Sequence, residues 1–226
     1  AAALAAGETP SPEMVAAAKK EGTLRPPIAI ACLASILAGL ALIVFLSGSV
    51  KLNNYAPLQK TPDVLKERAR EVLRRTGHSS QPTDSSYELS YDADYLRYIR
   101  DNDKSPDRWE RLKSGHPSAI YFWYRQSPRY LVPYGLGQVT GSDPPQIITD
   151  MARVGLDTDG RLIIFSAVPP QYDESRTGDA PAFDWSILFE EARLDPANFK
   201  PTDSKWLPPS YADSLVAWEG TLPGQP

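Results

Sequence analysis

The side chains that most often do catalytic chemistry are few in this 226-residue chain, and their spacing does not form a known site. The two histidines, His78 and His116, are far apart in sequence, and the single cysteine, Cys32, lies in an apolar run. This pattern contains no metal-ligand spacing. The glycines in residues 135–141 do not have the spacings that wrap a phosphate, and no hydrolase or metalloprotease motif is present. We therefore expect no metal and no cofactor bound by this chain.

Two pairs of acids could be assigned to acid–base catalysis, namely Asp92 with Asp94 and Glu190 with Glu191. Neighbouring acids on turns and helix faces are far more often solvated groups. The sequence thus identifies no catalytic residue, and a hydrolase whose site is assembled from such acids stays open as an alternative.

An aromatic run at residues 119–124 is the remaining candidate for binding chemistry. In a strand, Tyr121 and Trp123 share one face while Phe122 and Tyr124 share the other. Packing in the core is the usual role of such side chains. Tyr121 and Trp123 are nevertheless our candidate lining of a ligand groove.

One uncharged apolar stretch, residues 28–46, dominates the organisation of the chain. As a helix it is roughly 28 Å long, close to the thickness of a bilayer core of about 30 Å. We predict a transmembrane helix over residues 28–49. Ala31, Ser35 and Gly39 recur every four residues on one face of it. Such small-residue ridges let two membrane helices approach closely, so this face is a candidate homodimer contact.

The region after the span has the pattern of an α+β domain with antiparallel sheet. Residues 62–75 read as an amphipathic helix, opened by Pro62 behind Thr61. Residues 119–124 are rich in β-formers, and residues 153–168 predict a hairpin around an Asp-Gly turn. Short helices are predicted over residues 94–100, 106–113 and 185–193, an edge strand over residues 87–91, and a last strand over residues 213–218.

The tetrapeptide P-T-D-S occurs twice, at residues 82–85 and 201–204. Each copy follows a predicted helix and precedes a predicted strand with an aromatic residue. We therefore predict two helix-plus-strands units, residues 61–170 and 184–226, as candidate parts of the soluble domain. The resulting domain plan is a linker (1–27), the span (28–49), a second linker (50–60) and the soluble domain (61–226).

Charge narrows the class of partner. The formal net charge is −4, which argues against a nucleic-acid partner because such proteins present a basic face. Lysines and arginines flank both ends of the span, so charge does not indicate which end faces the cytoplasm. The expected partners are the lipid bilayer, a second copy of the chain and an unidentified ligand.

Several stretches resemble a group of bacterial transmembrane serine/threonine protein kinases. AAALAAGETPSPEMVAAA resembles the tail that follows the kinase lobe in those proteins. The stretches that resemble their C-terminal extracytoplasmic region are VLKERAREVLRRTG, YDADYLRYI, SGHPSAIYFWYRQSPRYLVP, VGLDTDGRLIIFSAVPPQ, DWSILFEEARLDPANFKPTD and YADSLVAWEG. The helix-plus-hairpin units are also distantly similar to PepSY-type domains.

The resemblance implies a sensor region anchored in the bacterial cytoplasmic (inner) membrane, with a cytoplasmic linker and an extracytoplasmic domain. It would signal to a kinase domain that is not in these residues, because neither a Gly-rich loop nor H-R-D nor D-F-G occurs. ATP and Mg²⁺ would belong to that absent domain. Besides the anchored hydrolase, a scaffold or inhibitor module of PepSY type is the other alternative.

Overall fold

The structure is a computed structural model that describes residues 24–50, 52–56, 58–135, 137–171, 183–205, 212 and 214–221, with the side chains of residues 48–50 and 53 left out. Most of the predicted N-terminal linker lies outside these residues. The chain divides into two units, residues 1–51 and 52–226, which are treated separately below.

The described helices and strands make an α+β protein, which confirms the predicted class. The α-helices are α1 (Pro26–Val50), α2 (Pro62–Arg75), α3 (Ala93–Asn102) and α4 (Ser186–Ala192). The strands are β1 (Asp84–Tyr91), β2 (Ile120–Ser127), β3 (Ala152–Asp157), β4 (Leu162–Ala167), β5 (Phe199–Thr202) and β6 (Ala217–Gly220). Short 3₁₀ turns cover Leu52–Asn54, Glu110–Ser114 and Pro196–Asn198.

Helix α1 is the described part of the first unit. Residues Pro26–Ser47 have a mean hydropathy of 2.8, and none of the most apolar stretch is buried. Its Leu, Ile and Phe side chains are exposed all around the helix. Exposing this much apolar surface to water is unfavourable, at about 25 cal/mol per Å². The helix is long and apolar enough to cross a membrane, which supports the predicted anchor.

The second unit is built on a four-stranded antiparallel sheet in the order β1-β2-β3-β4. Strand β2, the predicted aromatic strand, is hydrogen-bonded on both sides and lies inside the sheet, and β1 lies at an edge as expected. The predicted hairpin is formed by β3 and β4. Its turn is held by Asp157, whose carboxylate accepts hydrogen bonds from the backbone of Asp159 and Arg161 and from the Arg161 guanidinium, while Gly160 has a φ of 82°.

Helix α2 covers one face of this sheet, as its apolar stripe predicts. Thr61 makes no side-chain cap, so the start of the helix depends on Pro62 and on Asp63 at the positive end of the dipole. The buried core on this face comprises Leu65, Ala69, Val72, Leu73, Phe122, Tyr124, Ala152, Val154 and Leu156. A second buried cluster comprises Ala56, Ile99, Leu112, Ala119 and Ile120.

Two local predictions need correction. The helix predicted over residues 106–113 is a turn followed by the 3₁₀ segment Glu110–Ser114, because Asp103 binds the backbone and hydroxyl of Ser105 and Gly115 ends the segment with a φ of 68°. The last strand, predicted over residues 213–218, covers Ala217–Gly220, while residue 213 lies outside the described residues. It pairs with β5, which the sequence did not predict.

The two P-T-D-S copies occupy different positions in the fold. The first copy leads into β1, which begins at Asp84, whereas the second begins inside β5, which ends at Thr202. Both nevertheless belong to a helix followed by antiparallel strands, α2 with the four-stranded sheet and α4 with the β5–β6 pair.

The buried stripe of α2 gives a direct test of the core. Leu73→Asp should lower the free energy of unfolding by about 3–5 kcal/mol, because it removes packing and buries a carboxylate among apolar side chains. The matched control is Val64→Asp on the same helix, since Val64 is 51% exposed. Denaturant unfolding of the full chain, followed by tryptophan fluorescence, measures both. Equal stability of the two variants would contradict the assigned core face.

Candidate functional site

The candidate site is a cleft of about 520 Å³ on the sheet face opposite α2. Six segments of the second unit form it: the junction of β1 and α3, the loop before β2, β2 itself, the β3–β4 hairpin, the start of β4, and the residues around the end of α4. Its lining comprises Tyr91, Asp92, Ala93, Asp94, Gly115, His116, Pro117, Ser118, Tyr121, Asp157, Arg161, Leu162, Ile163, Ile164, Ala192 and Leu194.

The floor of this cleft is apolar and open to solvent. Ile163 and Ile164 are 49% and 40% exposed, although they lie in a strand. A register shift beside Gly155 breaks the alternation of β4 at this point. A side chain at Gly155 would place its Cβ 3.1 Å from that of Ile164, so the glycine leaves room for the isoleucine. Exposed aliphatic side chains in a concave surface are typical of a small-molecule site.

Two of the three carboxylates that line the cleft, Asp92 and Asp157, have structural roles. Asp92 caps α3, because its carboxylate accepts a hydrogen bond from the Tyr95 N–H at 2.9 Å. Asp94 has a side chain that is 88% exposed and forms an ion pair with Arg97. Asp157 is the buried acceptor of the hairpin turn. Among the described residues these acids do not form an acid–base pair in contact.

Two other polar groups of the cleft, Ser118 and His116, contact backbone carbonyls. The Ser118 hydroxyl donates to the Ile120 carbonyl at 2.5 Å. The Nδ1 atom of His116 lies 3.0 Å from the Ser114 carbonyl, so Nδ1 carries the proton in this contact because a carbonyl can only accept. No group of three or more His, Cys, Asp or Glu residues in the described part of the chain could hold a metal ion.

Only one of the two predicted groove residues reaches the cleft, because a loop covers the other. Tyr121 lines the cleft, whereas Trp123, on the same face of β2, is 2% exposed and does not line it. Trp123 is covered near Gly141, where a Cβ atom would lie 3.8 Å from the indole Cδ1. That these two side chains bind a ligand together stays a prediction.

Most residues of the cleft were not identified from the sequence. Tyr91, Ile163, Ile164 and Leu194 come from segments that only the tertiary fold brings together. The available signal was the adjacent isoleucine pair in β4, because two neighbouring apolar residues in a strand place one of them away from the core.

The predicted contact face of α1 is present as a local feature. The Ser35 hydroxyl donates to the Ala31 carbonyl at 2.9 Å, which satisfies it within its own helix. A Cβ atom at Gly39 would meet nothing within 4 Å, so this position is open. Self-association through the face stays a prediction.

The wall that α4 contributes is held in place by a buried charge. Glu191 is fully buried, and its carboxylate accepts from Arg68 at 2.5 Å and from Arg75, both on α2. Arg68 also donates to the Gly160 carbonyl at 3.2 Å, which links the hairpin turn to the same cluster. Glu190, by contrast, is 60% exposed and pairs with Arg75 at the surface. The end of α4, with Ala192 and Leu194, is thereby fixed beside the cleft.

The site has to be interpreted from its own geometry. No protein-family model, no curated protein and no solved structure matches the chain. The features that bear on function are the apolar cleft, the roles of Asp92 and Asp157 as helix cap and turn acceptor, and the apolar helix α1.

The buried and exposed glutamates of α4 form a matched pair of mutation sites. Glu191→Gln should destabilise the second unit by about 3 kcal/mol, because two guanidinium groups lose their buried partner. Glu190→Gln should change stability by no more than about 0.5 kcal/mol, since the pair it breaks is exposed. Denaturant unfolding and hydrogen exchange of the α4 amides check both expectations. A small effect of Glu191→Gln would show that the ion cluster does not hold α4.

Proposed function

We propose that this chain is the membrane-anchored sensor region of a bacterial receptor-like serine/threonine kinase. In this proposal α1 crosses the cytoplasmic membrane, residues 1–25 face the cytoplasm, and the second unit binds a ligand outside. The sensing role is supported by the open apolar cleft, in which Asp92 caps a helix and Asp157 holds a turn. The ligand suited to it has an apolar body, because aliphatic and tyrosine side chains make up the floor and one rim.

The cleft favours binding over hydrolysis. A hydrolase requires an acid, a base or a nucleophile within reach of the substrate and of its partner. Here Asp92 is a helix cap, Asp157 holds a turn, and the Ser118 hydroxyl is bound to a carbonyl. The anchored hydrolase is therefore the less favoured alternative.

The kinase assignment is supported by resemblance and by architecture. The stretches quoted above resemble one group of receptor-like kinases from the N-terminal tail through the last described strand. The order of an alanine-rich tail, one apolar helix and an α+β domain agrees with such a receptor. Catalysis, ATP and Mg²⁺ would belong to the kinase domain, and this region would control that domain across the membrane.

A PepSY-like organisation of the sensor is part of the proposal. Its support is the repeated order of a helix followed by antiparallel strands, once in α2 with β1 to β4 and once in α4 with β5 and β6. The scaffold or inhibitor module of PepSY type would share this organisation but would need no transmembrane signalling.

Topology provides the first test of the receptor. A periplasmic reporter such as alkaline phosphatase, fused after Trp218, should be active, whereas the same reporter fused before Pro26 should be inactive. A reporter that works only in the cytoplasm should give the opposite pattern, which controls for expression. Cytoplasmic activity of the fusion after Trp218 would reject the proposed orientation and with it the extracytoplasmic sensor.

Approach of two α1 helices is the proposed route of signalling, and its contact face can be tested separately. Gly39→Ile should weaken self-association by about 1–2 kcal/mol, because a bulky side chain holds the two backbones apart. Leu40→Ile is the control, since it lies about 100° around the helix. A membrane dimerisation reporter measures both variants in the full chain. Equal association would exclude this face from the mechanism, while the topology result would still stand.

A further inference from the structure

A second cleft, of about 310 Å³, lies where α2 ends, on the other face of the sheet from the first. Every polar side chain in its lining can donate a hydrogen bond, and none of the described lining residues is acidic. The side chains that matter are Arg70, Arg74, His78, Ser79, Ser80 and Gln126.

The end of α2 places this lining. Gly77, with a φ of 88°, reverses the chain, and the backbone N–H groups of Gly77 and His78 donate to the carbonyls of Arg74 and Leu73. This Schellman-type ending gives hydrogen-bond partners to carbonyls at the negative end of the helix dipole. Those carbonyls would otherwise repel an anion. The His78 ring then packs edge-on against Phe165, with ring centroids 5.5 Å apart.

Several polar groups at this cleft have no partner in the described part of the chain. No described carboxylate lies within ion-pair distance of Arg74. The Nδ1 atom of His78 is buried without a hydrogen bond. Gln126 is only 6% exposed, and no hydrogen bond of its side-chain amide is found among the described residues. Buried polar groups normally have partners, so the buried Nδ1 of His78, beside the exposed Arg74, indicates a place for a ligand.

Arg70 contributes a fixed positive charge beside them. Its Nη1 donates to Glu67 at 2.8 Å, and its Nε lies 3.4 Å from the Tyr124 hydroxyl. The hydrogen bond with Tyr124, and the pairing with Glu67, raise the pKa of Arg70 above its ordinary value. The guanidinium is therefore held in place and stays charged.

We propose that this second cleft, centred on Arg74, His78 and Gln126, binds the phosphate group of an anionic ligand. Guanidinium groups match the geometry of phosphate oxygens, and charge-assisted hydrogen bonds are about twice as strong as neutral ones. The serine hydroxyls and the Gln126 amide supply further donors. A soluble phosphate ester and an anionic lipid headgroup carry the same group, so the source is decided by experiment. This site is independent of the proposed sensing cleft and of the kinase assignment.

The test is a titration of the full chain in nanodiscs of phosphatidylcholine. Inorganic phosphate and glycerol phosphate should shift the NMR signals of the Gln126 side-chain amide and of the Ser79 and Ser80 backbones, and the shifts should saturate. In a second arm, phosphatidic acid in the nanodisc replaces the soluble ligand. Shifts in the first arm indicate a soluble ester, and shifts in the second arm indicate a lipid headgroup; either supports the site.

Arg74→Gln should weaken the binding about tenfold or more, as expected for loss of a hydrogen bond to a charged group. Arg129→Gln is the matched control, because Arg129 is also an exposed arginine and lies outside this lining. Thermal unfolding confirms that both variants are folded. The proposal is overturned if no signal shifts saturably in either arm, or if the two variants weaken binding equally.

Discussion

The buried carboxylate of Glu191 is the contact on which the arrangement of the second unit depends. Helix α4 is short, and the β5–β6 pair that follows it has two strands, which is too little to be stable by itself in water. Arg68 and Arg75 on α2 bind this carboxylate and connect the C-terminal elements to the main core. Because a buried charge without a partner is costly, the three side chains are required together.

A second buried charge organises the opposite face of the sheet in a different way. Arg125 is 2% exposed and donates to the carbonyls of Thr140 and Pro144, so the long loop after β2 is held against the sheet by backbone acceptors. Burial, together with the neighbouring charge of Arg153, lowers the pKa of Arg125. This loop covers Trp123 and leaves Tyr121 open, which explains why only one of the two predicted groove residues reaches the cleft.

Local patterns predicted the elements, while contacts distant in sequence determined the sites. The stripe of α2 and the Asp-Gly turn at residues 159–160 are properties of short segments, and both were confirmed. Glu191 read as one of two solvated acids, because its partners Arg68 and Arg75 lie more than a hundred residues away. Strand β5 was missed since Pro201 argues against a strand, although an edge strand tolerates it.

The central strand β2 and the ion cluster limit how the two clefts can respond to ligands. Tyr121 lines one cleft and Gln126 the other, and both lie in a strand that is hydrogen-bonded on each side, which resists a change of register. The end of α4 is attached less firmly than β2, which is paired on both sides, and Leu194 beside it forms part of the first cleft. A ligand bound there would contact the element that Glu191 holds, so ligand binding and the ion cluster would act on the same part of the fold. If the two are coupled in this way, loosening the ion cluster must weaken ligand binding, and a bound ligand must stabilise the cluster by the same free energy.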